Sequence, residues 1–186
     1  MKKILIALIA VLSCVGASFA QEVKEPESKS KAIEFLSKDG SFLLKEFYDL
    51  PKVGGVECQV LIMKNIVTGD KMGCLRLETK YYSSTLNSSD SYIGTLDTDE
   101  LDACIQCLTY IKDTLMPTMP DVYTEAQYTT SDGVKFGAYF NKGKWTTFVY
   151  TKGYTRRSAE FLKGENIPTF IDVMQQAKTL IAEKTK

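Results

Sequence analysis

The chain contains no histidine. That absence removes Ser-His-Asp and Cys-His catalysis, and it removes every imidazole-based metal site. No phosphate loop or dinucleotide fingerprint occurs either. Gly69, Gly73, Gly133, Gly137, Gly143 and Gly153 are spread through turns and strands instead of clustering at a helix start. After the first twenty residues no apolar run is long enough to span a bilayer. Charge is balanced, with 23 basic and 23 acidic residues and no basic patch, so nucleic acid is not an expected partner.

Residues 1–20 read as an export signal. Lys2 and Lys3 form a basic start, Ile4 to Leu12 an apolar run, and Ser18-Phe19-Ala20 a small-residue cleavage site. The expectation is a bacterial protein in the periplasm or at the cell surface, or released. Val11-Leu12-Ser13-Cys14 also loosely matches a lipoprotein box, and the alternative to cleavage after Ala20 is lipid anchoring at Cys14. Without Lys2 and Lys3 the balance becomes 21 basic against 23 acidic residues, a charge near −2. Residues 21–31 are charged, contain Pro26, and read as a flexible tether. One domain over residues 32–186 is expected.

That domain is organised around Leu96–Leu115 and a weaker copy of it at Leu162–Ile181, 66 positions apart (162 − 96). Apolar residues at 101, 104, 105, 108 and 115 have the spacing of an amphipathic helix. Asp97 followed by Glu100 forms a capping-box pattern. In the second copy Asn166 can cap, and Pro168 falls in the first turn. Ala32–Ser37 reads as a short helix and Ser41–Tyr48 as a strand.

The strands align at an offset of 64, with Lys71-Met72-Gly73-Cys74 on Lys135-Phe136-Gly137-Ala138. The first copy, 56–115, contributes Val56–Val67, Met72–Thr79, Tyr81–Leu86 and Ser91–Thr95. The second, 122–181, contributes Val122–Thr130, Val134–Phe140, Trp145–Thr151 and Arg156–Phe161. Asp132-Gly133 is a strong hairpin signal, and Lys142-Gly143-Lys144 makes the next turn. The expected fold is α+β: a duplicated ββββα unit forming a two-layer sandwich, with an antiparallel sheet of about eight strands and two helices on one face. Ile105 and Ile171 occupy equivalent places and should both be fully buried.

Cys58, Cys74, Cys104 and Cys107 remain after the signal. The second copy places Ala138, Phe170 and Val173 where Cys74, Cys104 and Cys107 stand, which favours core thiols. A structural disulfide, redox chemistry and a four-thiolate zinc site are the alternatives. Both Cys104 and Cys107 are expected on the sheet-facing side of their helix. Asp97, Asp99, Glu100 and Asp102 lack calcium-loop spacing and fit helix-start electrostatics better. No metal and no cofactor is expected.

The remaining bias is aromatic, with ten tyrosines gathered in or beside strands. Helices cover one face of a sheet, and tyrosine suits the other, which can be both wet and bound. Tyr81, Tyr139 and Trp145 are the expected exposed set. The functional expectation is a non-catalytic exported binding or adaptor module. It would use an aromatic sheet face or edge for a protein, peptide or glycan. The alternatives are a histidine-free enzyme working through carboxylates or a thiol, and a purely structural envelope protein.

Overall fold

The computed structural model describes residues 30–85 and 87–186. The expected signal segment, Cys14 and the tether as far as residue 29 lie outside the described residues. Ser30 and Lys31, expected in the tether, instead start helix α1, Lys31–Ser37. The Ser30 hydroxyl accepts the Ile33 N–H and so caps it.

Eight strands follow in two runs of four. Strands β1 (Leu43–Val53), β2 (Val56–Asn65), β3 (Lys71–Ser83) and β4 (Ser88–Asp97) form one antiparallel sheet in chain order. Strands β5 (Thr124–Thr129), β6 (Lys135–Asn141), β7 (Lys144–Tyr150) and β8 (Ala159–Leu162) form a second. Helix α2, Leu101–Tyr110, follows β4 and runs on through a wider π turn, Ile111–Leu115. Helix α3, Asn166–Lys184, follows β8. The fold is α+β, and the ββββα plan occurs twice.

Three details differ from the sequence reading. The strands divide into two four-stranded sheets, with no ladder joining them. The side of β4 is met by the β5–β6 turn, not by a strand: the Asp132 carboxylate accepts the Thr95 N–H and hydroxyl at 2.8 and 3.1 Å. A side chain has taken the place of a ladder bond there. Next, Met72–Thr79 and the start of Tyr81–Leu86 are one continuous strand, since no turn residue separates them. The first unit therefore opens at β1, with Pro51 tolerated because β1 is an edge strand. Finally, counted strand by strand, β3 corresponds to β7. The sequence alignment set Lys71 of β3 against Lys135 of β6, so the plan repeats but that strand alignment does not.

The helices do align as read. Leu101, Cys104 and Leu108 are buried, as are their counterparts Ile167, Phe170 and Met174. The capping box at Asp97 and Glu100 is formed. One core takes the inner faces of both sheets, including Val60, Leu75 and Leu96 from the first and Phe136, Ala138 and Val149 from the second. Helix α3 lies across β1, β2 and β3, whereas α2 contacts β5. Each long helix therefore touches the sheet of the other unit. Phe170 of α3 also meets Phe136 of β6 edge to face at 6.2 Å.

Ile171 is buried, but Ile105 is only half-buried, contrary to expectation. The two helices pack on each other, and Ile105 lies at the rim of the groove between them, beside Lys178 and Gln175. Cys107 is also half-buried: it edges the core instead of entering it.

Candidate functional site

Each sheet has one face turned away from the helical layer. On the first sheet, α1 occupies part of that face: Ala32 packs with Leu61, Met63 and Cys74, and Phe35 and Leu36 lie against them. The clamp is Asp97, which is 3% exposed. Its carboxylate accepts the Ser30 hydroxyl at 2.8 Å and the backbone N–H groups of Lys31 and Ala32 at 2.7 and 3.0 Å. The acidic cluster is thereby dispersed among structural partners. Glu100 accepts the N–H groups of Asp97 and Ser131, Asp99 pairs with Lys31, and Asp102 pairs with Lys178.

The rest of this face mixes exposed Phe47 and Ile93 with matched polar groups, and the Arg76 guanidinium lies over the Phe47 ring at 6.0 Å. The Gln59 side-chain amide donates to Asp49 at 2.7 Å and accepts from Arg76 at 2.6 Å, and Arg76 pairs with Glu78. Lys52 and Lys80 both pair with Glu57, and their hydrogen bonds hold its carboxyl below the ordinary carboxylate value.

The far face of the second sheet is different. Strand register fixes its layout in rows across β5, β6 and β7: Thr129, Lys135 and Tyr150; then Gln127, Gly137 and Phe148; then Glu125, Tyr139 and Thr146. Tyr123 stands just beyond the last row and is 60% exposed. Four rings run in sequence over this face. Tyr123 and Tyr139 stack at 6.2 Å, Tyr139 and Phe148 lie at 6.2 Å, and Phe148 and Tyr150 meet edge to face at 5.5 Å. Among the described residues no helix covers them.

Gly137 lies at the centre of this arrangement. It is buried and stands between Gln127 and Phe148 in its row. The position tolerates nothing larger, because a Cβ would lie 2.0 Å from the Ala126 carbonyl oxygen. The resulting cleft has a volume of about 300 Å³ and is lined by Tyr123, Glu125, Gln127, Lys135, Tyr139, Phe148, Tyr150 and Gly153. Its two ends are oppositely charged. Glu125 accepts a hydrogen bond from the Tyr123 phenol, and this holds that phenol above its ordinary value. Lys135 lies at the other end, its stem across Gly153.

Grooves on the helix side are larger. The one between α2 and α3 measures about 790 Å³. The Lys178 ammonium spans it to both Asp102 oxygens, at 2.6 and 2.7 Å. That groove is therefore crossed by an ion pair, whereas the sheet cleft holds its acid and its lysine at opposite ends.

Of the expected aromatic set, only Tyr139 lies on this face. Trp145 is on the helix side, against Phe140 at 5.5 Å, with its indole N–H donating to the Thr118 carbonyl at 2.8 Å. Tyr81 lies on the β3–β4 arm under the Arg157 guanidinium, 5.4 Å from the ring centre. Tyr123 and Tyr150, two of the strand tyrosines outside the expected exposed set, stand with Tyr139 here, as does Phe148. Turn chemistry held the signal. Lys142 and Gly143 both take positive φ, at 51° and 76°, as a two-residue hairpin turn requires. That turn pairs Tyr139 with Thr146, so Trp145 must point the other way.

The cysteines Cys58, Cys74, Cys104 and Cys107 are free thiols. Burial pushes Cys58 and Cys74 up to about 12 and raises Cys104 and Cys107 as well, which keeps them protonated near neutral pH. Among the described residues no helix is long and apolar enough to cross a membrane. Comparison with protein families, with curated proteins and with solved structures found no match to this chain.

Proposed function

We propose that the chain is an exported bacterial binding module without a catalytic role, and that it holds its partner on the far face of the β5–β8 sheet. One observation carries the reading: four rings, an acid, an amide and a lysine converge on a face that, among the described residues, no helix covers. Burying phenol rings elsewhere in the fold would require a hydrogen-bond partner for each hydroxyl. Leaving them in a row at the surface is useful where contact alternates with solvent. Export to the periplasm or cell surface rests on the basic and apolar pattern of residues 1–20, with anchoring at Cys14 as its variant.

Two further observations favour binding over chemistry. The buried thiols lie far above the range of a reactive cysteine. The buried carboxylates Asp97 and Asp132 are committed to hydrogen bonds that hold α1 and the β5–β6 turn. The test is a titration of the protein with defined peptides and oligosaccharides, followed through the ring signals of Tyr123, Tyr139 and Tyr150. A ligand that moves these rings, and that Tyr123→Ala/Tyr139→Ala fails to bind, supports the reading. Ligands that move only the helix-side groove would overturn it.

A further inference from the structure

Resting on that reading of the face, we infer that the occupant is a neutral saccharide, held between the aromatic wall and Gln127. The charges of the cleft select against a ligand of one sign. Glu125 and Lys135 stand at opposite ends, separated along β6 by the four-residue step from Lys135 to Tyr139, about 13 Å at strand rise. A polyanion meets Glu125 and a polycation meets Lys135, so the cleft disfavours a chain charged throughout with one sign.

The walls then separate saccharide from peptide. A peptide that binds tightly drives an apolar side chain into a dry pocket or adds a strand to a sheet edge. This cleft opens on the face of β5–β7, whereas strand addition would use the free side of the edge strand β5. Its one wall residue that is apolar throughout, Phe148, is 5% exposed, so no deep apolar hole is available. The other ring residues, Tyr123, Tyr139 and Tyr150, each carry a hydroxyl at the end of an apolar ring. Glu125 supplies acceptors, Lys135 supplies donors, and the Gln127 amide supplies both. A ligand matching that inventory is dense in hydroxyls and presents C–H surface between them, as a sugar ring does. The volume of about 300 Å³ falls at the small end of ligand sites and suits a short oligosaccharide.

The test uses the mature chain, residues 21–186, labelled with nitrogen-15. Probes are chitotriose, maltotriose, cellotriose and xylotriose, with a neutral hexapeptide panel as the comparison. Signals are the Gly137 backbone N–H, the Gln127 side-chain amide and the Trp145 indole N–H. At least one trisaccharide is expected to shift Gly137 and Gln127 and leave Trp145 still. Gln127→Ala and Tyr139→Ala should each weaken that binding about tenfold or more. Gln127 is an exposed side chain, so its variant remains informative if the Tyr139 variant is unstable. Peptides that shift Gly137 while every trisaccharide fails would overturn the saccharide class and leave the binding face standing. If neither class shifts Gly137 or Gln127, the saccharide and the face fall together.

Discussion

Tyr139 and Trp145 belong to one β-hairpin and face opposite sides of its sheet. They are separated by a single tight turn, and strand pairing sets Tyr139 across from Thr146 and Phe140 across from Trp145. One face of the hairpin is therefore committed to packing and the other is left for contact.

Trp145 should accordingly matter for stability alone. Its indole packs on Phe140 and donates to the Thr118 carbonyl, tying β7 to the loop after α2. Trp145→Ala is expected to cost about 1–3 kcal/mol, below the full penalty for a buried aromatic because the ring is half-buried. Urea titration of the variant reads this directly, and an unchanged midpoint would remove Trp145 from the packing account.

Ile171 and Ile105 should separate in the same kind of experiment. Ile171→Ala removes a buried side chain from the core and should cost about 2–5 kcal/mol. Ile105→Ala trims the rim of the interhelical groove and should cost about 1 kcal/mol, as for a partly solvated site. Equal losses would mean that the two helices sit symmetrically on the sheets, which the packing of α3 across β1–β3 contradicts.

Asp97 should govern the docking of α1. Asp97→Ala leaves the Ser30 hydroxyl and two backbone N–H groups without their acceptor, at a cost of about 2–4 kcal/mol. The Lys31 and Ala32 amides should then exchange hydrogen faster while those of β6 stay protected. Unaltered exchange at Ala32 would show that the apolar contacts with Leu61 and Met63 hold α1 alone.

The thiols give a pH prediction. Burial raises Cys58 and Cys74 from 9.0 to about 12, so the folded state retains protons that the unfolded chain releases first. Their contribution to stability is fully present below about pH 9 and is lost as pH rises from there through about 12. Cys58→Val should make stability less steep over that window, measured by denaturation at matched pH steps. Native-state labelling should modify Cys107 well before Cys104, since only Cys107 is partly open. Rapid labelling of Cys104 would contradict its place in the core.

Much of the fold is written in local pattern. Helical spacing, the capping box at Asp97 and Glu100, and the turn glycines are short-range signals, and the structure keeps each of them. The division into two sheets was not legible, because it depends on the Asp132 carboxylate meeting Thr95 across 37 positions. The helix exchange between units is equally long-range: α3 packs on β1, β2 and β3, strands more than a hundred positions earlier in the chain for β1 and β2. The candidate site lay between these cases. Tyr139 was picked out by residue type, but Phe148 and Tyr150 required the register, and register turns on one residue. Reading the Lys142-Gly143 turn through to its pairing would have excluded Trp145 and found them.

The most direct test of the binding face uses that hairpin. A trisaccharide or peptide that binds the wild-type chain is titrated by calorimetry into Tyr139→Ala and into Trp145→Phe, after circular dichroism confirms that both are folded. The account predicts that Tyr139→Ala loses binding by about tenfold or more while Trp145→Phe binds as wild type. Loss of binding in Trp145→Phe with Tyr139→Ala unaffected would place the partner on the helix side and contradict it.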